Sequence, residues 1–185
     1  MTSTPIDLGR PIAGDVVELI LDDHRRFETL LRQLRDSSSD RDTVRQAFAV
    51  LHVAHAEAEE RHVYPVLRKK QAIGEHEAEH GEEEHAEGHE ALLAVLELKG
   101  TDTQAFDDAV EELAKRVNHH LTEEELTILN PAREEVSERA RAELGLAFVR
   151  VRNAQLDDDC GRLENVRRIV ARAARRGLLD EDDQD

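Results

Sequence analysis

The sequence predicts an all-α protein, an up-down antiparallel four-helix bundle with a C-terminal helical extension. Three observations carry this. Only four Pro and nine Gly occur in 185 residues, among abundant Ala, Leu, Glu and Arg, a composition that favours helix over sheet. Apolar residues recur at spacings of three and four, not two. The polar breaks between periodic stretches are short, which makes consecutive helices antiparallel neighbours.

Residues 1–13 read as an N-terminal tail, and residues 14–131 as the bundle. The first helix, about 14 to 36, places Val17, Ile20, Phe27, Leu31 and Leu34 on one stripe and ends in the capping-rich run Asp36-Ser37-Ser38-Ser39-Asp40. The second, about 41 to 71, carries Val44, Phe48, Leu51 and Val66, with Pro65 expected to kink or end it. The third, about 75 to 99, starts very acidic and turns apolar at Leu92, Leu93, Leu96 and Leu98. The fourth, about 103 to 129, follows Gly100-Thr101-Asp102, carries Phe106, Val110, Leu113 and Val117, and stops before Pro131. Residues 132–179 form the extension: a helix at 137–153 with Leu144, Phe148 and Val151, a break at Asp157-Asp158-Asp159-Cys160-Gly161, and a last helix at 162–176 with six arginines. An acidic tail, 180–185, ends the chain and is expected to fray.

Twenty-five basic against 42 acidic side chains give a formal charge of −17, which argues against nucleic acid or an anionic membrane as a partner. No apolar run approaches the roughly 18 residues of a spanning helix, and residues 1–14 lack the apolar core of a signal peptide. The single cysteine, Cys160, cannot form an internal disulfide and has no nearby cation to activate it, which suits a reducing, cytoplasmic setting. The core is aliphatic, with Phe27, Phe48, Tyr64, Phe106 and Phe148 the only aromatic residues. Histidine is the exception: there are ten, all between His24 and His120.

Several of them fall on the apolar stripes. His24 is four residues after Ile20 and three before Phe27. His55 is seven after Phe48, with Glu59 one turn on. His120 is three after Val117, with Glu124 one turn on, and His85 and His89 lie in line with Leu92 and Leu96. A single inward histidine is usually a hydrogen-bonded core residue. Inward histidines on four successive helices, two of them with a Glu at i+4, point instead to a metal centre, because buried imidazoles and carboxylates need compensation. This donor set suits borderline first-row metals, exceeds what one tetrahedral zinc takes, and fits two irons bridged by Glu59 and Glu124 with a position left open.

The pattern His24, His55-Ala-Glu-Ala-Glu59, His85 and His120-Leu-Thr-Glu-Glu124 resembles the hemerythrin-like (HHE cation-binding) family over residues 14 to 131. Asp23-His24-Arg25-Arg26-Phe27, Tyr64-Pro65 and Glu84-His85 extend the resemblance. The acidic start of the third helix and Ala142-Glu143-Leu144-Gly145 look similar to actinobacterial members. The resemblance implies a non-haem di-iron centre, two iron ions that an oxo or hydroxo group can bridge. His24, His55, His85 and His120 would be nitrogen ligands, Glu59 and Glu124 the bridging carboxylates, and His89 an extra ligand. It also implies a small diatomic or peroxide ligand: O2, NO or H2O2. Catalase-like peroxide disproportionation is one candidate activity, with no catalytic residues beyond the metal ligands. O2 or NO carriage, sensing, and an iron- or zinc-binding module without turnover are the alternatives. One departure is Asn130, which separates the apolar pair Ile128-Leu129 from Pro131.

A ferritin-like reading rests on Glu-x-x-His at Glu59–His62 and Glu82–His85, but His24 and His120 stand where that site needs Glu. His62 is expected to be half-exposed near the bundle end, and His52, His76, His80 and His119 to be surface residues. Seven acids and three His between Glu75 and Glu87 form either a solvated face or a path that attracts cations. The arginine-rich last helix is expected to cover the bundle and pair with acidic surface.

Overall fold

The computed structural model describes residues 6–179, so the acidic tail 180–185 and the first five residues of the N-terminal tail lie outside the described residues. Six continuous helices, and no strand, form among the described residues. The first is α1 (Val16–Arg35). Next, α2 (Arg41–Ala58) passes without a break through a π-helical turn, Glu59–Val63, into α3 (Tyr64–Lys69). Then come α4 (Glu75–Glu97) and α5 (Gln104–Glu124), the latter continuing through a second π-turn, Glu125–Leu129, into α6 (Asn130–Glu135). Two further helices, α7 (Glu138–Asp157) and α8 (Leu163–Arg176), complete the chain.

The helix starts have local causes. Asp15 accepts from the Val17 N–H, Asp40 from Thr43, Thr103 from Phe106 and Ser137 from Ala140, each satisfying an otherwise orphaned donor. Gly177 closes α8 in a left-handed conformation. Buried Arg41 clamps one end of the bundle, donating to the Leu34 and Thr101 carbonyls and to Asp107 at 2.7, 2.7 and 2.6 Å.

The prolines do not end the helices they interrupt. The helix containing Pro65 runs to Lys69, and the one containing Pro131 runs to Glu135, past its expected end at 129. Within a regular helix the proline ring collides with the carbonyl four residues back. Here the preceding turn is widened, with Tyr64 donating to Glu59 and Asn130 to Glu125, five residues back. The widened turn shifts that carbonyl off the ring. Helix α7 is also longer than expected, reaching Asp157 before the acidic break.

Helices α1, α2, α4 and α5 form a ring in which each packs on two neighbours: α1 on α2, α2 on α4, α4 on α5, and α5 back on α1. Their inward faces, with residues of the helices that continue from them and of α7, form two apolar clusters. One contains Phe27, Leu31, Phe48, Leu51, Leu92, Val110 and Leu113. The other contains Val17, Ile20, Ala58, Tyr64, Ala78, Ile128 and Phe148. On every bundle helix the buried His and Glu residues fall between residues of these two clusters, so a polar layer is sealed on both sides.

The C-terminal extension is packed onto this frame. Helix α7 lies across α1 and α2, and α8 lies along α4. Arg167 donates to Glu97 at 2.9 Å and Arg176 to Glu82 at 2.7 Å, so α8 covers an acidic flank as its composition suggested. Cys160 is buried, its thiol donating to the Val50 carbonyl, and burial pushes its pKa up to about 12, which keeps it unreactive. No helix among the described residues is long and apolar enough to cross a membrane.

The docking of α7 depends on Gly145, because a Cβ there would intrude on the carbonyl oxygen of Gly14. Gly145→Ala is therefore expected to destabilise the protein by about 1–3 kcal/mol or more, as overpacking does. An unchanged midpoint in urea unfolding would show that α7 is not held this closely.

Candidate metal centre

The structure brings six of the seven residues singled out by the sequence into one buried layer. His55, Glu59, His85 and His120 have side-chain ligand atoms within 4.8 Å of one another, and so do His24, His55, Glu59 and Glu124. The two groups share His55 and Glu59, and every member is buried.

Each carboxylate lies between imidazoles of different helices. One Glu59 oxygen is 3.1 Å from His55 Nε2 and the other 3.1 Å from His85 Nε2. A single Glu124 oxygen lies 3.1 Å from His24 Nε2 and 3.7 Å from His120 Nε2, while Tyr64 donates its hydroxyl proton to the other at 2.9 Å. Tyr64 is fully buried and stacked on His85, its ring centroid 5.8 Å away.

The outward nitrogens are held by carboxylates that the sequence reading did not single out. His55 Nδ1 donates to Asp23 at 3.2 Å, His85 Nδ1 to Glu60 at 3.0 Å, His120 Nδ1 to Glu84 at 3.0 Å and His24 Nδ1 to Glu125 at 2.8 Å. In the neutral ring that a metal would bind, a proton fixed at Nδ1 leaves Nε2 with its lone pair directed inward. Each of these carboxylates is the sequence neighbour of an inward residue: Asp23 beside His24, Glu60 beside Glu59, Glu84 beside His85 and Glu125 beside Glu124. A step of one residue turns the side chain by about 100°, from the bundle axis towards an adjacent helix. The signal was therefore present in the sequence, but which helix each acid served depended on the order of helices around the ring.

Asp23 is fixed in turn by Arg152 of α7, which is completely buried and donates to both carboxylate oxygens at 2.7 Å. The remaining Arg152 protons go to the Leu8 and Gly9 carbonyls and the Asn153 side chain. Phe148, also on α7, presents its ring edge-on to His55, 6.0 Å between centroids. The extension thus supports the layer directly.

Electrostatics reflect this crowding. Burial opposes charge on His55, but Glu59 and Asp23 reverse the effect and push its pKa up to about 10. His85 behaves alike, with Glu59 and Glu60 as the cause, and also rises to about 10. Burial would raise Glu59, yet the facing His55 and His85 hold it well below the usual carboxylate range. Burial, followed by the charge of His85, lowers His120.

His89 departs from the expectation. It is buried, but lies outside both groups and packs edge-on against His52, with centroids 4.7 Å apart. His52 itself, expected at the surface, is buried, stacked on Phe48 and tucked against Gly88, where a Cβ would come within 2.9 Å of Nε2. Its position four residues after Phe48 already placed it on an apolar stripe. His76 and His119 are exposed, and His62 and His80 half-exposed. The ferritin-like alternative is not assembled, because Glu82 turns outward to Arg176. Nor is the acidic stretch a uniform solvated face: Glu75 pairs with Arg68, Glu77 caps Gly74, Glu87 pairs with Arg116, and Glu84 is buried.

Two tests follow from this geometry. Arg152→Met leaves buried Asp23 with only His55 and the more distant Arg26 and is expected to cost about 3–5 kcal/mol of stability; Asp23→Asn is expected to weaken metal binding by about 10- to 100-fold. Wild-type metal affinity in Asp23→Asn would mean that the carboxylate does not orient His55. Separately, burial and then the charge of His85 lower His89 to about 4. In metal-free protein, the unfolded chain takes up a proton below its ordinary value of about 6.5 that folded His89 refuses until about pH 4. Stability should fall across that window, by up to about 3 kcal/mol from His89. Denaturant titrations of His89→Leu should show a shallower fall between pH 6.5 and 4; parallel curves would argue against a neutral, buried His89.

A family model described as the hemerythrin HHE cation binding domain matches residues 15–132, which include all six residues of the buried layer. No curated protein and no solved structure matches the chain. Arg152 and Phe148 lie beyond the matched span. From its sequence pattern and the matching model, the chain belongs to the hemerythrin HHE cation-binding domain family.

Proposed function

We propose that the buried layer holds two iron ions and that the protein binds and turns over a small oxidant, H2O2 in a catalase-like reaction or O2 or NO. His24, His55, His85 and His120 would supply nitrogen ligands, and Glu59 and Glu124 carboxylate ligands. The observation that carries this reading is a set of buried inward atoms that crowd together without an aligned hydrogen bond: Nε2 of His55, His85 and His120, and both oxygens of Glu59, two of these contacts being only 3.1 Å. Buried polar atoms left unsatisfied cost roughly 1–3 kcal/mol each, so their convergence from three helices calls for a shared cation. Six donors also exceed one tetrahedral zinc site.

Bound iron would supply a redox-active Lewis acid at this layer. The chain's own residues set the conditions for it. Glu59 and Glu124 offset cationic charge in a medium where uncompensated charge is costly. Asp23, Glu60, Glu84 and Glu125 hold the four imidazoles in the tautomer that points Nε2 inward. Tyr64 holds a proton at Glu124, and burial followed by the charge of Glu124 raises its pKa well above the usual phenol value, so it stays a donor. The two apolar clusters flank the layer on both sides.

Metal analysis should give close to two irons per chain; a single zinc would end this reading. Added H2O2 should evolve oxygen, and His55→Ala or Glu124→Ala protein that still folds should evolve none above background. Oxygen evolution from these variants at the parental rate would refute catalysis at the layer, and an iron-loaded parent that evolves none would be a carrier or sensor.

A further inference from the structure

One carboxylate of the layer faces two ways. Glu84 on α4 accepts from His120 Nδ1 with one oxygen, at 3.0 Å. Its other oxygen, Oε1, is buried and makes no hydrogen bond, although the side chain is only 6% exposed. That oxygen points at two imidazoles outside the layer. His80 Nε2, one turn earlier on α4, lies 3.5 Å away, and His119 Nε2 on α5 lies 3.4 Å away. Neither contact is aligned as a hydrogen bond, yet one ligand atom from each of the three residues lies within 4.8 Å of the others. His80 and His119 are 44% and 60% exposed, so the trio opens to solvent.

We propose that His80, Glu84 and His119 form a second, peripheral cation site that takes a borderline first-row dication. Two imidazoles and one carboxylate are the donors such ions prefer, whereas Mg2+ favours all-oxygen shells. Three protein ligands on a solvent-facing edge leave a position for water, as in metal sites with three protein ligands. A cation there would satisfy Glu84 Oε1, which otherwise has no aligned hydrogen bond. Glu84 also touches the inner layer through His120. The proposal stands whatever metal the inner layer holds, since its three donors are otherwise unused there apart from the opposite oxygen of Glu84.

The test uses full-length protein whose inner metal content has first been fixed by metal analysis. Equilibrium dialysis against Co2+ in excess Mg2+ should load one further Co2+ per chain, with the visible absorption of imidazole-bound cobalt. His80→Asn and His119→Asn should each weaken that binding by roughly tenfold or more while leaving the previously measured inner metal in place. No further Co2+ in the parent, or equally tight binding in both variants, overturns the proposal. Because the inner metal is measured independently, an error in its assignment would not be mistaken for failure of the peripheral site.

Discussion

The closed circuit of imidazole–carboxylate contacts around the bundle axis is the constraint on which the remaining structure depends. Helix α1 supplies Asp23 to His55 on α2, α2 is followed by Glu60, which serves His85 on α4, α4 supplies Glu84 to His120 on α5, and the turn after α5 supplies Glu125 to His24 on α1. The supplying residue precedes an inward residue on α1 and α4 and follows one after α2 and α5. This alternation has a geometric cause. Stepping back one residue on an ascending helix and forward one on a descending helix rotates the side chain in the same sense when viewed from one end. An antiparallel ring therefore lets every helix serve its neighbour in the same direction.

Such a circuit must be rigid to be useful, and the fold fixes it at several points. Arg152 locks Asp23 from outside the ring, with both carboxylate oxygens engaged and the rest of its guanidinium satisfied by backbone and Asn153. The two π-turns begin at or just after Glu59 and Glu124, the positions where side-chain direction matters most, and carry the chain past Pro65 and Pro131. Apolar clusters above and below confine the polar layer to one depth of the bundle. A layer of this kind would be costly in an ordinary core. Metal binding would convert that cost into affinity, since the ligands are already ordered and stripped of water.

Among the described residues, the acidic side chains fall into distinct sets. Some carboxylates orient histidines, others pair with arginines of α8 or the bundle surface, and Glu59 and Glu124 sit at the centre. Glu84 belongs to the first set while also facing His80 and His119, so acidic residues extend the inner site towards solvent.

Much of the fold was legible in the chain because helix formation and burial are local or periodic properties. Apolar spacing gave the bundle helices and the two of the extension to within a few residues at most ends, and it placed His24, His55, Glu59, His85, His120 and Glu124 inward. Where that reading missed, the cause was long-range. The helix through Pro131 continues because a widened turn relieves a clash that sequence rules treat as terminating. His52 is buried because α4 approaches it at Gly88, and His89 packs on His52 instead of joining the layer. By itself, the sequence determined the all-α bundle and the inward placement of these six residues, since both follow from a 3.6-residue period. Only the tertiary structure decided which acid holds which histidine, that α7 anchors the circuit through Arg152, and that His80 and His119 meet at Glu84. Those pairings depend on how helices distant in sequence are ordered around one axis.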